Sequence, residues 1–130
     1  MKKKIKVLCL CSRGRNRSKY LAKYLGKKGY STKFAGINTG IYWKPTKPIT
    51  QEDVDWADVI IIARKRLLRR FKRRYKLKGG KLIILDVTDS KRLVPKESKH
   101  LRFLRRKDFN KKWTYPQLRK AIKPYLPLKR

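Results

Sequence analysis

The apolar run "DVIIIA" at 58–63 limits the possible folds more than any other stretch of this sequence. It is too short for a buried helix, and an unbroken apolar run of this length is typical of a strand covered on both faces, as in parallel sheets. The runs "IKVLCL" at 5–10, "YSTKFAGI" at 30–37 and "KLIILDV" at 81–87 predict three more strands. The sequence therefore predicts a four-stranded parallel sheet.

Helical patterns alternate with these strands. They cover residues 17–29, where Gly26 or Gly29 ends the helix, and residues 51–56, 64–78 and 114–126. Thr50 and Thr114 are the predicted N-caps of the second and last helices. Right-handed crossovers would place helices on both faces of the sheet, so we expect a three-layer α/β/α fold in one domain spanning residues 1–130. Residues 90–112 form an extra basic segment, read as a loop with one amphipathic helix.

The charge balance narrows the range of partners. Forty Lys and Arg face eight Asp and Glu among 130 residues, a net charge of +32, while 40% of the residues are hydrophobic and can form a core. Such a field attracts polyanions such as nucleic acid or phosphorylated metabolites, although a merely solvated Lys-rich surface is the plainer alternative. No apolar run approaches the ~20 residues that cross a bilayer, so we expect a cytoplasmic protein without a membrane partner.

The segment "CSRGRNRS", residues 11–18, is called the 11–18 loop below. A loop that curls ahead of a helix N-terminus points several N–H groups at one centre, which suits a phosphate or a thiolate. Arg17 can hold two phosphate oxygens, and Ser18 can hydrogen-bond the sulfur of Cys11. The candidate phosphate-binding residues are Ser12, Arg13, Gly14, Arg15, Asn16, Arg17 and Ser18.

Each cysteine also has a structural interpretation. Cys11 could be a small buried hydrophobe at a strand end, and Cys9 is expected in the core. A disulfide between residues two apart would be strained, so both are expected as free thiols. Because ligands of parallel α/β sheets bind outside the carboxyl ends of the strands, Asp86 and Asp89 are expected near the 11–18 loop.

The strand, the 11–18 loop and the helix after it resemble the phosphate-binding loop of the low-molecular-weight protein tyrosine phosphatases, whose pattern is Cys, five residues, Arg, Ser. The segments "FAGI", "ITQEDVDWADVIIIARKRLLRRF" and "KLIILDVTD" resemble, in the same order, those of the short predicted tyrosine phosphatases of microbes. The resemblance covers roughly residues 4–90 and 114–126.

This resemblance implies a metal-independent phosphatase without a cofactor. It makes Cys11 the nucleophile that forms a phosphocysteine, Arg17 the phosphate clamp and Ser18 the partner of the thiolate. Tyr42 and Trp43 would wall the substrate pocket, with an ordinary exposed turn as the alternative. The family's general acid is an Asp after the fourth strand, and the candidates are, in order of preference, Asp89, Asp86 and Asp108.

The chain departs from the family pattern at four places. Lys19, directly after the Arg-Ser pair, stands where the family usually has Pro, a change with little expected effect. Gly14 replaces an Asn whose backbone adopts a left-handed conformation, which Gly also permits. Asp89 is not followed by Pro, and Tyr115 with Pro116 stands where related short chains have an Asp-Pro pair. These departures bear on general acid catalysis more than on phosphate binding.

Two functions are therefore compatible with the sequence. One is a cysteine-dependent hydrolase of phosphotyrosine or another phosphomonoester. The alternative is a weakly active or inactive phosphate-loop protein that binds nucleic acid or another polyanion through residues 64–78 and 90–112. An arsenate reductase on the same fold would need further cysteines after Cys11, and this chain has none. The oligomeric state stays open.

Overall fold

The computed structural model describes residues 4–12, 14, 16–37, 48–77 and 79–129. Its four strands are β1 (Lys6–Cys11), β2 (Ser31–Gly36), β3 (Val59–Ile62) and β4 (Lys81–Ile84). They pair in parallel in the order β2-β1-β3-β4, so the predicted four-stranded parallel sheet is confirmed. β4 is shorter than predicted, although the N–H groups of Leu85 and Val87 still donate to the carbonyls of Ile62 and Ala63.

The sheet separates two apolar layers because successive side chains of a strand point to opposite faces. In β1, Val7, Cys9 and Cys11 belong to one layer, whereas Leu8 and Leu10 belong to the other. All five are buried, and β3 is buried along its whole length. Both faces are therefore covered, as the unbroken run in β3 predicted.

The helices are α1 (Arg17–Lys27), α2 (Gln51–Trp56), α3 (Leu68–Arg74), α4 (Arg106–Phe109) and α5 (Tyr115–Ile122). Leu21 and Leu25 of α1 and Leu118 and Ile122 of α5 pack into the layer that contains Cys11. Burying each of these side chains contributes about 1.5–3 kcal/mol. Val54 of α2 and Phe71 of α3 pack into the other layer, so α1 and α3 lie on opposite faces of the sheet.

Thr50 caps α2 as predicted. Its Oγ1 accepts from the N–H of Asp53 at 3.1 Å, and the carboxylate of Asp53 accepts from the N–H of Thr50. The helix predicted over 64–78 is shorter in the structure: residues Lys65–Leu67 form a 3₁₀ turn, and α3 ends where Tyr75 becomes extended.

Thr114 is not an N-cap, so that prediction was wrong. It has helical torsion angles and lies in a continuous helical run formed by α4, the π-helical turn Asn110–Thr114 and α5. Its hydroxyl donates to Oδ1 of Asn110 at 3.0 Å instead of capping a helix. Ahead of this run, 3₁₀ segments at Lys91–Leu93 and Lys96–Phe103 occupy the basic stretch. None of the helices in the described ranges is long and apolar enough to cross a membrane.

Candidate active site

The 11–18 loop surrounds the sulfur of Cys11 with hydrogen-bonding groups. Cys11 is the last residue of β1 and is 2% exposed. The N–H of Gly14 donates to its Sγ at 3.3 Å, and its Sγ lies 3.1 Å from Oγ of Ser18, which is fully buried. Gly14 has φ +70°, a left-handed backbone that Gly adopts at little cost, as its place in the sequence predicted.

Cys9 has different surroundings from Cys11, although both thiols are free and buried. Cys9 is fully buried inside β1, in the same apolar layer as Cys11 but two residues away from the 11–18 loop. Burial raises the pKa of the Cys9 thiol, and the neighbouring Cys11 raises it further. Cys9 therefore stays protonated at neutral pH and acts as a core residue, in agreement with the sequence interpretation.

Arg17 is only 4% exposed and brings a buried positive charge to the loop. Its Nη1 donates to the carbonyl of Val87 at 2.8 Å and its Nη2 to Oγ of Ser12 at 3.3 Å. The buried Nε has no hydrogen-bond partner among the described residues and lies 3.6 Å from Oδ2 of Asp89. A buried guanidinium that makes no hydrogen bond at Nε is suited to an anion, and the carboxylate of Asp89 faces it here.

Asp89 is the carboxylate that the fold brings to this loop. Nδ2 of Asn16 donates to its Oδ2 at 2.8 Å, and its side chain is 31% exposed. The backbone around it is also held, because Arg106 donates to the carbonyl of Asp89 and Nε1 of Trp113 to that of Thr88. Asp89 is thus partly open to solvent and fixed beside Arg17.

The other two candidate acids lie elsewhere. Asp86 accepts from the N–H of Lys65 at 3.3 Å and pairs with Nε of Arg64 at 3.3 Å, so its contacts are at the turn that leads into α3. Its side chain is 61% exposed. Asp108 is an exposed residue of α4. Of the three candidates, Asp89 is the one that contacts described residues of the 11–18 loop.

A polar network behind Asp89 was not predicted from the sequence. The side chain of Asn16 contacts protein groups: it donates to Asn110 Oδ1 at 3.3 Å and accepts from the hydroxyl of Tyr115 at 3.3 Å. Its role in phosphate binding stays a prediction. Asn110 and Thr114 are buried. One sequence signal could have indicated this network: Asn110 and Thr114 are uncharged polar residues four positions apart, on one helical face, in a segment rich in Lys and Arg.

Tyr115 closes this network on its solvent side. Burial raises the pKa of the Tyr115 phenol, the neighbouring Tyr20 and Asp89 raise it further, and a hydrogen bond with Asn110 opposes the rise. The phenol therefore stays protonated at neutral pH and can donate to Asn16.

Four predicted site residues, Arg13, Arg15, Tyr42 and Trp43, lie outside the described residues. Within the described ranges, no group of three or more His, Cys, Asp or Glu side chains could hold a metal ion.

The arrangement of the sheet and the helices has counterparts among solved structures. A low-molecular-weight protein tyrosine phosphatase from T. tengcongensis superimposes with a TM-score of 0.56 and 17% identity, over 92% of this chain and 99% of that one. The chain has the low-molecular-weight protein tyrosine phosphatase fold. The resemblance predicted from the sequence is confirmed at this level.

A second neighbour has the same phosphatase fold. It is a mutant of the arginine phosphatase YwlE with a phosphorylated active-site serine, at a TM-score of 0.60 and 12% identity, over 97% of this chain and 99% of that one. No protein-family model and no curated sequence matches the chain. The two neighbours are named for different phosphorylated residues, so the fold leaves the substrate open.

Proposed function

We propose that this protein is a cysteine-dependent phosphomonoester hydrolase that works through a phosphocysteine intermediate. The observation that carries the proposal is the 11–18 loop: Sγ of Cys11 lies within hydrogen-bond distance of Gly14 and Ser18, and the same loop holds a buried Arg17 whose Nε makes no hydrogen bond with the described residues and faces the Asp89 carboxylate at 3.6 Å. A solvated basic tract would not bury its arginine, and a core cysteine would not accept a backbone N–H from a left-handed Gly.

In the first step, Cys11 reacts as the thiolate: its Sγ attacks phosphorus while the bond from phosphorus to the leaving oxygen breaks. Arg17 binds the phosphoryl oxygens and stabilises their charge in the transition state. Asp89, in its protonated form, gives its proton to the leaving oxygen, a contribution of about 10²–10⁴ in rate. Oδ2 of Asp89 is fixed by Asn16, so the carboxyl group is held in position for this transfer.

In the second step, water attacks the phosphorus of the phosphocysteine and gives a proton to the carboxylate of Asp89. The S–P bond breaks, and the hydroxyl of Ser18 donates to the departing thiolate, which its 3.1 Å distance allows. The products are the dephosphorylated alcohol or phenol and inorganic phosphate. The reaction needs no metal ion, because Arg17 and the loop amides supply the positive field.

The test is hydrolysis of para-nitrophenyl phosphate between pH 5 and pH 7.5 by the wild type, Cys11→Ser and Cys9→Ala. We expect Cys11→Ser to lower kcat/KM by about 10⁴-fold or more, because it removes the nucleophile. Cys9→Ala is the matched control: it removes the other thiol of β1, which faces the core, and should keep most of the activity. Mass spectrometry of the quenched wild type should find a phosphate on Cys11. Equal inactivity of wild type and Cys11→Ser would refute the proposal for aryl phosphates.

A further inference from the structure

A groove runs along α1 away from the 11–18 loop, and the function proposed above does not use it. Its volume is about 430 Å³. It is called the α1 groove, and the described residues that line it are Asn16, Lys19, Tyr20, Lys23, Tyr24, Lys27 and Tyr115. The lining thus combines three Lys with three Tyr.

The α1 groove begins at the candidate active site. Asn16, at its near end, is the residue whose Nδ2 donates to Asp89, and Tyr115 donates to Asn16. Lys27 at the far end is the last residue of α1. The near end of the groove therefore adjoins Asp89, and a chain-like substrate with its end in the 11–18 loop would pass Asn16 to reach it.

The aromatic side of the groove is a nearly parallel ladder of rings. Tyr20 stacks on Tyr115 with centroids 4.0 Å apart and 6° between the planes, and on Tyr24 at 6.1 Å and 12°. Nη1 of Arg119 donates to the hydroxyl of Tyr20 at 2.7 Å, which fixes the middle ring. The rings are partly exposed, and Nζ of Lys28 lies over the Tyr24 ring, 5.0 Å from its centroid. Because Tyr20 is stacked between the other two rings, a nucleobase of any sequence would stack on Tyr24 or Tyr115, and on Tyr24 it would displace Lys28.

The cationic side of the α1 groove is a regular row of three Lys residues. Lys19, Lys23 and Lys27 are exposed and follow one another at four-residue intervals, which places them about 6 Å apart along the helix axis. Such a row matches a ligand with repeated negative charges better than a single phosphorylated residue. A second basic groove, along α3, is lined by Lys65, Arg66, Leu68, Arg69, Lys72 and Arg73 and contains no aromatic residue among those described.

We propose that the α1 groove binds a single strand of nucleic acid whose terminal phosphate enters the 11–18 loop, so that the substrate is a phosphorylated end of DNA or RNA. This inference rests on the phosphatase function proposed above. Cys11 would take the terminal phosphoryl group, the P–O bond to the terminal sugar would break, and the sugar oxygen would receive the proton of Asp89. This step would leave a hydroxyl end on the strand. Water would then attack the phosphorus on Cys11, give a proton to Asp89 and release inorganic phosphate.

The experiment compares kcat/KM for single-stranded DNA and RNA hexamers, phosphorylated at the 5′ or the 3′ end, with kcat/KM for para-nitrophenyl phosphate. The combined substitutions Lys19→Ala, Lys23→Ala and Lys27→Ala should lower the hexamer-to-aryl ratio by about 10-fold or more, because three phosphate contacts are lost. Tyr24→Leu should lower it by about fivefold or more, because a stacking face is lost.

The matched control removes the same charge from the other face of the sheet, by Arg69→Ala, Lys72→Ala and Arg73→Ala together. This variant should keep the ratio within twofold of the wild type. An equal fall in both triple variants would mean that net charge, not the α1 groove, governs binding, and would overturn the inference. An acidic phosphotyrosine hexapeptide provides a second control. If its kcat/KM relative to para-nitrophenyl phosphate equals that of the nucleic-acid hexamers and falls equally in the α1 triple variant, the groove binds peptides and the inference is overturned.

Hydrolysis and binding measurements together distinguish a failure of this inference from a failure of the phosphatase proposal. If the wild type hydrolyses the aryl phosphate but no hexamer, the inference fails alone. If the wild type hydrolyses nothing, the phosphatase proposal fails, and fluorescence anisotropy then decides whether the groove holds a phosphorylated strand. The Cys11→Ser protein should bind a labelled phosphorylated hexamer about 10-fold more tightly than its hydroxyl-ended counterpart, and the α1 triple variant should weaken this binding. Equal binding of the two hexamers would overturn the inference.

Discussion

The turns that lead from β1 to α1 and from β3 to α3 are built from similar residues, yet only the first forms a candidate active site. Each carries an Arg, and each receives an Asp from the segment after β4: Asp89 approaches Arg17, and Asp86 pairs with Arg64. The side chain of Arg17 is 5% exposed and that of Arg64 is 23% exposed, while Asp89 and Asp86 are 31% and 61% exposed.

The difference lies in what surrounds each charge pair. Arg17 sits beside a thiol and a left-handed Gly, with its Nε unsatisfied among the described residues. Arg64 precedes a 3₁₀ turn, and Asp86 accepts a backbone N–H there, which is an ordinary helix-start contact. The two ion pairs have the same residue types, and what distinguishes the candidate active site from a surface ion pair is the burial of its Arg together with the thiol and the Gly of the same loop.

The largest expected contrast is between the two arginines. Arg17→Lys should lower kcat/KM for para-nitrophenyl phosphate by about 10³-fold, because Lys cannot hold two phosphoryl oxygens in one plane. Arg64→Lys, the matched variant at the other turn, should stay within twofold. A comparable loss in both variants would show that the two turns do not differ in function.

The next contrast separates the two aspartates. Asp89→Asn should lower kcat by about 10²-fold, because the proton of the general acid is lost while the hydrogen bond from Asn16 can remain. The loss should grow as the leaving group becomes more basic, which a series of substituted phenyl phosphates measures. Asp86→Asn should change neither rate nor leaving-group dependence, and a leaving-group effect in Asp86→Asn would instead make that residue the acid.

A smaller effect is expected from the polar network of Asn16, Asn110, Thr114 and Tyr115 next to Asp89. Among the described residues, the β3–α3 turn has no such network. Asn110→Ala removes the acceptor shared by Asn16 and Thr114 and should lower kcat about 10-fold with little change in KM. It should also lower the free energy of unfolding by about 1–3 kcal/mol, since buried donors lose their partner. Thermal unfolding and steady-state rates measure the two effects. Thr114→Val, which removes a donor to Asn110 but not Asn110 itself, should reduce stability with less effect on kcat.

The smallest effect is expected from Asp86→Asn on stability. The Arg64–Asp86 pair is largely exposed, so solvent screens it and its loss should lower the free energy of unfolding by at most about 1 kcal/mol. Urea denaturation at low and high salt measures this change. A loss of several kcal/mol would mean that Asp86 anchors the β3–α3 turn as firmly as Asp89 is held at the β1–α1 turn.

The sequence by itself determined the parallel sheet, the cap at Thr50 and the 11–18 loop with Cys11 and Gly14. These depend on local patterns: an apolar run that must be buried, a capping residue at the start of a helix, and a backbone conformation that Gly permits. The tertiary structure decided which aspartate meets Arg17, and that Asn16 contacts Asn110 across 94 residues of chain. It also decided that Thr114 continues a helix instead of starting one. Such pairings depend on how distant segments pack at the carboxyl edge of the sheet, and no local pattern encodes that packing.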